Sequence, residues 1–585
     1  MASTVAMFTA LSGMNANARN LDVIGNNIAN VNTTGYKSTR LLFSSMYSQT
    51  FSTGTAPGES TGGKNPGQIG LGVTIAGTQR KFTGGTISPT GNPRDMAIEG
   101  DGFFVVDHNS EQLYTRDGSF ATNSDSDLVT SGGDRVLGFG IDANFNVNET
   151  ELTSIKVPIG TMKIAEASTK VRLSGNLNAA GAVPSQGSST LLMGDATNHL
   201  RAITTANPPL STGNVLQTDT RLVDIEDPAL PASDTPLFAV GQLFEVRQAE
   251  KGSKQLPTQT LEITDTTTVQ DLFDFIEQTL GINTDAGNNP DGKTPGVSLD
   301  PTTGAITIVG NAGKTNDLSI EPSDFRLLNA DGTYNKIPFY TDKTADADGE
   351  AVRTTFFVYD SLGNTVNVDM TFVLESRGNT GTTWRYYAES ADDSDIALQL
   401  ATGTVEFDTR GQLATTEPIS IAIDRTDSGA DTPLAISIRL RDGQDNVTAL
   451  ADTSSSVAAT SRDGVPIGTL TSFGVGADGT ITGSFSNGMT RTLGRVALAN
   501  FTNDGGLVDA GPNLFRVGPN SGSPVVTSPG NLGAGRIAGG SLELSNVDIA
   551  EEFINLIVAQ TGYSASSRVI QTTNDLFQQL LVLAR

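Results

Sequence analysis

From Met7 the chain places Leu11, Met14, Ala18, Leu21, Gly25 and Ile28 at alternating steps of four and three. Steps averaging about 3.5 residues keep one stripe of a helix turned toward a partner helix, so the spacing predicts a helix with a coiled-coil seam. Its flanks carry Asn15, Asn17, Asn20, Asn26, Asn27 and Asn30 in place of the Glu and Lys that solvate a free coiled coil. The far end repeats the steps through Ile549, Phe553, Leu556, Gln560, Tyr563, Ser567, Ile570, Asn574, Phe577, Leu581 and Ala584. There the polar seam positions cost stability and can fix register. Ser545 and Asp548 resemble a capping box at the start of this helix. Two such helices at opposite ends of 585 residues predict one paired terminal unit. The alternative is two unrelated amphipathic helices, each packed on a local core.

Between the ends the pattern changes period. Asn32-Thr33-Thr34-Gly35 predicts the stop of the first helix, and residues 33–75, rich in Gly, Ser, Thr and Pro, read as a linker. Alternating apolar positions then predict strands, with Gly100-Asp101-Gly102 read as a hairpin turn feeding a buried strand at Phe103–Val106. This texture fills residues 76–170 and resumes over 461–545, as an inner β domain closed from both sides of an insertion. Residues 171–190 with 335–460 read as a second β domain. Residues 191–334 are an inserted outer domain with one helix, Val269–Leu280, introduced by a capping box at Thr268 and Asp271 and stopped by Gly281. The expected fold is mainly β with α-helical termini. Residues 1–32 and 546–585 form a coiled-coil-like helical domain, followed by nested β-rich domains.

Composition supports this and removes several kinds of chemistry. Sixty-four glycines and only 6% aromatic residues favour turn-dense β structure, and the length implies several domains. The net charge is −27, and its position matters more than its size. Residues 1–75 carry four basic and two acidic side chains and residues 541–585 carry two and five, so nearly all the negative charge lies between. Acidic middle domains repel nucleic acid and anionic lipid. With no cysteine and only His108 and His199, thiolate sites and histidine-based triads or zinc sites are poor expectations. No run of eighteen apolar residues predicts a membrane span. Ala16-Asn17-Ala18 imitates a signal cleavage site, but no Lys or Arg precedes Arg19 and polar residues interrupt the apolar stretch, so an exported chain is expected to keep its N-terminus.

Local motifs for chemistry are weak. Thr344, Asp346, Asp348 and Gly349 imitate part of a calcium loop whose bidentate Glu is replaced by Thr355. Gly533, Gly535 and Gly539 have the wrong spacing for a phosphate loop. The adjacent acids Asp392 and Asp393 point to opposite faces of a strand, and Trp384 beside Tyr386 and Tyr387 reads as core. No catalytic, cofactor or metal site is expected.

The quoted stretches resemble signatures of the bacterial flagellar axial proteins, the rod and hook family. Leu21-Asp-Val-Ile-Gly-Asn-Asn-Ile-Ala-Asn-Val-Asn-Thr-Thr-Gly-Tyr-Lys37 is similar to its N-terminal motif. Ile98–Val106 and Tyr114–Phe120 are similar to its β-domain motif, and Leu542–Asp548 with Glu552, Phe553, Gln560 and Tyr563 to its C-terminal motif. Ser174–Asn178, Val358–Asn364 and Gly483–Gly488, with the length, resemble the hook branch of that family more than the short rod components. Two positions depart from the pattern. Gly562 lies inside the C-terminal helix, where it costs about 1 kcal/mol relative to Ala, and Ser566 stands where the family commonly has Asn.

The resemblance implies a non-enzymatic subunit exported without a cleaved signal through the flagellar type III machinery. It would polymerise outside the cell into a curved tube, as a homopolymer meeting rod, hook-cap and hook–filament junction proteins. The expected assembly seam is Met7, Leu11, Met14, Leu21, Ile28, Phe553, Leu556, Tyr563, Ile570, Phe577 and Leu581, with Asn26, Asn27, Asn30 and Gln560 as polar register contacts. Competing readings are another axial subunit, whose polymer would differ in form, and a secreted β-rich adhesin or hydrolase, which would not need the termini.

Overall fold

The computed structural model describes residues 4–196, 198–203, 215–230, 235–415, 418–443 and 445–583. Ala584, the last position of the C-terminal repeat, lies outside them. Among the described residues three α-helices stand among many short strands: α1, Thr4–Ala29; α2, Val269–Thr279; and α3, Ile549–Leu583. The chain divides into two compact units, residues 1–163 with 468–585 and residues 164–467. The fold is mainly β with helical termini.

The first unit holds α1, α3 and a β domain built from both arms of the chain. At its centre Phe103–His108 forms a hairpin with Glu111–Thr115. Its other edge receives Leu498–Asn500 and Arg135–Ile141. Phe103, Phe104, Val105 and Val106 are fully buried. Rings of Phe82, Phe103 and Phe515 meet edge to face at 5.4–5.9 Å, a geometry favoured by the ring quadrupole.

The expected hairpin at Gly100-Asp101-Gly102 is not one. Met96–Glu99 pairs with Arg536–Gly539, and Ile87–Pro89 pairs with Ser541–Glu543. The Gly-rich corner instead passes the chain from one sheet to another, because its partner strand comes from the far end of the sequence. Residues 33–75, read as a linker, contain three strands and the start of a fourth. Thr39–Ser45 pairs with Val73–Arg80, and Ser48–Ser52 with Gly67–Gly70. The second pair is exposed along nearly its whole length, with Tyr47, Phe51 and Ile69 uncovered.

The second unit has two cores. One surrounds α2, whose Val269, Leu272, Phe273 and Ile276 are buried. The capping box is present: the Thr268 hydroxyl accepts from the Asp271 N–H at 3.2 Å, and the Asp271 carboxylate accepts from the Thr268 N–H at 2.8 Å. The other core lies under the four-stranded meander from Ala351–Tyr359 to Gln399–Phe407, with Trp384 at its centre. Buried and half-buried charges connect the two cores. Lys251 pairs with Glu389, Lys254 pairs with Asp369, and the Arg353 guanidinium donates to the Lys251 carbonyl at 2.9 Å and the Thr315 carbonyl at 2.5 Å.

Candidate functional site

The first unit closes where both chain ends enter the β domain. α1 ends at Ala29, and the chain turns through Gly35, whose φ of +64° suits glycine. A Cβ there would lie 2.6 Å from the Arg116 carbonyl carbon, so the turn is pressed against the β domain. That contact sets Tyr36 and Lys37 facing inward.

Lys37 and Glu543 form an ion pair at 2.6 Å, with side chains 0% and 1% exposed. Arg116, also buried, lies 3.5 Å from the other Glu543 oxygen and donates to the Gly100 carbonyl at 2.9 Å. The Lys37 ammonium also donates to the Thr83 carbonyl at 2.9 Å, and the Gly85 N–H donates to Glu543 at 2.7 Å. One carboxylate therefore serves two cations and a backbone amide. Burial pulls the Lys37 ammonium below its ordinary range, and the Glu543 charge opposes that pull. The Arg116 guanidinium is lowered by burial in the same way, again opposed by Glu543. Desolvated charges of this kind are tolerated only while each has its partner.

Around this cluster, side-chain amides join the helices to the strands. Asn27, 1% exposed, donates to the Thr39 carbonyl and to Glu552 on α3, both at 2.8 Å, and accepts from the Thr39 N–H at 3.0 Å. Asn546 accepts from the Ser38 N–H and donates to the Lys81 carbonyl, both at 2.8 Å. Burial pushes the Glu552 carboxyl above its usual range, against the bond from Asn27. At the start of α3 the cap is Asp548 alone, accepting from the Ala550 and Glu551 N–H groups at 2.8 and 3.2 Å. Ser545 instead bonds Val547 before the helix begins, which corrects the expected capping box.

The two helices then run side by side, and small residues, among them the buried Ala559, lie on the face that joins them. A Cβ added at Gly562 would lie 3.0 Å from the Asn17 amide, and one added at Gly13 would lie 3.2 Å from the Ser566 hydroxyl. The two departures noted in the sequence, Gly562 and Ser566, thus both face α1. Of the expected seam, Met7, Leu11, Phe553, Tyr563 and Leu581 are exposed, and Met14, Leu21, Ile28, Leu556, Ile570 and Phe577 are half-buried. Among the polar register residues, Asn27 reaches α3, Asn26 donates to the Tyr36 hydroxyl at 3.1 Å, Asn30 donates to the Asn26 carbonyl at 2.9 Å, and Gln560 is exposed.

The weaker motifs are occupied by local structure. Asp348 accepts from the Ser185 and Gln186 N–H groups at 2.6 and 3.1 Å, and Asp346 pairs with Lys343 at 2.8 Å. Asp392 accepts from the Asn367 N–H at 2.6 Å, and Gly535 packs against the Glu99 carbonyl. Among the described residues no helix is long and apolar enough to cross a membrane.

Four family descriptions match four segments in order: "Flagella basal body rod protein" at residues 7–37, "Flagellar hook protein FlgE/F/G D1 domain" at 97–176, "Flagellar basal body protein FlaE D2 domain" at 328–465 and "Flagellar basal body rod FlgEFG protein C-terminal" at 538–583. The chain belongs to the bacterial flagellar rod and hook protein family. It is 27% identical to the flagellar hook protein of Treponema pallidum, and 26% identical to those of Borreliella burgdorferi and Salmonella typhimurium. Each alignment covers 98–99% of both chains. Three of the four matched flagellar segments meet at the cluster just described. The first supplies Asn27 and Lys37, the second Arg116 and the last Glu543, Asn546 and Glu552. The charged members were missed as site residues because a lone Lys or Glu in a motif carries no periodic signal. For Lys37 the available clue was its place among only six charged residues in the first 75, whereas Glu543 and Arg116 carried no such clue.

Proposed function

We propose that this chain is the structural subunit of the bacterial flagellar hook, a self-assembling protein of the extracellular flagellum. The observation that carries this reading is the end-to-end likeness to hook proteins, with the family's terminal segments folded here into one helix pair seated on a β domain. The helix pair has the surface that a polymer subunit needs. Its joining face is built of small side chains, and large apolar residues such as Phe8, Leu11, Phe553, Ile557 and Val558 remain exposed. An apolar surface of this extent on a single chain favours association.

In this reading the seam from Met7 to Leu581 is buried between neighbouring subunits, Asn26, Asn30 and Gln560 hold register there, and Asn27 holds the register of α1 against α3 within one chain. The polymer is a curved tube that links rod to filament and transmits torque as a flexible joint. Its further partners are the rod, cap and junction proteins, and export is through the type III machinery without cleavage. Replacing Leu21 or Leu556 with Asp is expected to abolish polymers while residues 76–540 stay folded. Electron microscopy with circular dichroism reads both, and normal polymer from either variant rejects the seam.

A further inference from the structure

The pairing of the terminal helices has a definite register, and over the described residues α3 runs on past the start of α1. Gly13 lies opposite Ser566, Asn17 opposite Gly562 and Asn27 opposite Glu552, so each step up α1 is a step down α3. Continued to Thr4, where the described part of α1 begins, the register arrives at Asp575. Residues 576–582, Leu-Phe-Gln-Gln-Leu-Leu-Val, run on past that point without a charged side chain. Leu580, Leu581 and Val582 are 46%, 69% and 75% exposed. At about 1.5 Å per residue this tip is roughly 10 Å long.

The same unit carries a matching cleft. Where the exposed ribbon leaves α1, a groove of about 610 Å³ is lined by Phe8, Leu11, Met14, Met46, Leu71 and Tyr563, and no charged residue borders it. Tip and groove cannot meet within one chain. The groove reaches α3 at Tyr563, and the tip lies thirteen to nineteen residues further along the same unbroken helix, which cannot fold back onto its own wall.

Charge argues for a second copy as the occupant. Twenty basic and 42 acidic side chains lie between residues 164 and 467, so copies repel through their second units. α1 carries only Arg19 and Asp22, which pair with each other at 3.7 Å, leaving the groove in a neutral zone that like-charged chains can share. A basic partner protein would be drawn to the second unit and not to this groove.

We propose that the α3 tip of one copy, residues 576–582, docks in the groove between α1 and the ribbon of the next copy. The contact is heterologous, tip to groove, so each added copy presents a fresh tip and growth stays open-ended. The proposal rests on the hook reading and names the surfaces through which successive subunits meet.

The absence of cysteine makes the test clean. Chains bearing Met46→Cys are mixed with chains bearing Val582→Cys, polymerised and treated with a short bis-maleimide. Phe8→Cys with Gln579→Cys is the second pair, should the first disturb folding. A cross-linked dimer in the polymer, absent from monomer at equal concentration, is the expected result. Polymer without the cross-link in both pairs overturns the tip-to-groove contact and leaves the hook reading standing. No polymer from the unsubstituted chain overturns the reading and the proposal together.

Discussion

Among the described residues two places bury lysine beside glutamate, and they secure different things. In the first unit Lys37, Glu543 and Arg116 join segments about five hundred residues apart, so the cluster exists only when both chain ends are in place. In the second unit Lys251 and Glu389, with Lys254, Asp369 and Arg353, join two cores along an uninterrupted stretch of chain. The clusters share a chemistry but differ in what surrounds them. The second unit encloses two large apolar cores and is strongly acidic outside. The first leaves a nearly uncharged helix pair with its large apolar residues in solvent. A buried ion pair is weak evidence of stability but strong evidence of what must be assembled together, because removing one partner strands the other in a dry site.

The largest expected effects separate the two units. Glu543→Gln removes the anion that serves both Lys37 and Arg116, and should cost the first unit about 3–5 kcal/mol. Glu389→Gln should cost the second unit a similar amount by stranding Lys251. In denaturant titrations followed by hydrogen exchange, each variant should shift its own unit's transition and leave the other in place. A joint shift would mean that the units unfold as one.

A smaller effect concerns the helix face. Gly562→Val adds volume where even a Cβ lies 3.0 Å from the Asn17 amide, and should destabilise the helix pair by about 1–3 kcal/mol despite removing a helix glycine. Raised helix content and stability would show that the close approach does not matter.

The smallest effect is in pH. Burial holds the Glu552 carboxyl above its unfolded value. Its contribution to stability is therefore fullest below that unfolded value, near 4.5, and is lost as pH rises through the folded one. Glu552→Gln keeps an acceptor for Asn27 and should flatten the pH dependence of helix-pair melting between pH 4 and 7. An unchanged slope would place the titration elsewhere.

Much of the fold was legible because its strongest signals are local. The four-and-three spacing marked α1 and α3, Thr268 with Asp271 marked the start of α2, and Gly35 marked the turn after α1. Hydrophobicity was less informative about which faces pair. It picks out Leu11 and Phe553, whereas the helices meet through Gly13, Asn17, Gly562 and Ser566, where small size replaces large apolar side chains. Strand partners across the whole chain were illegible for a different reason. The texture of Met96–Glu99 indicates a strand, but nothing nearby in sequence says that it pairs with Arg536–Gly539 instead of the strand beyond Gly102. The Lys37–Glu543 bond was hidden likewise, since two isolated charges gain meaning only when folding desolvates them together.

The double crossing at the junction has a mechanical consequence. The chain passes between helices and β domain twice, outward at residues 30–39 and back at 541–548, and Lys37, Asn546 and the Gly35 N–H bond to the Glu543 carbonyl pin the two passages together. A domain hung on one strand can swivel about single bonds. Hung on two strands that are cross-braced, it resists rotation about their common axis, so a twist applied to the helix pair is carried into the β domain instead of being lost at a free pivot.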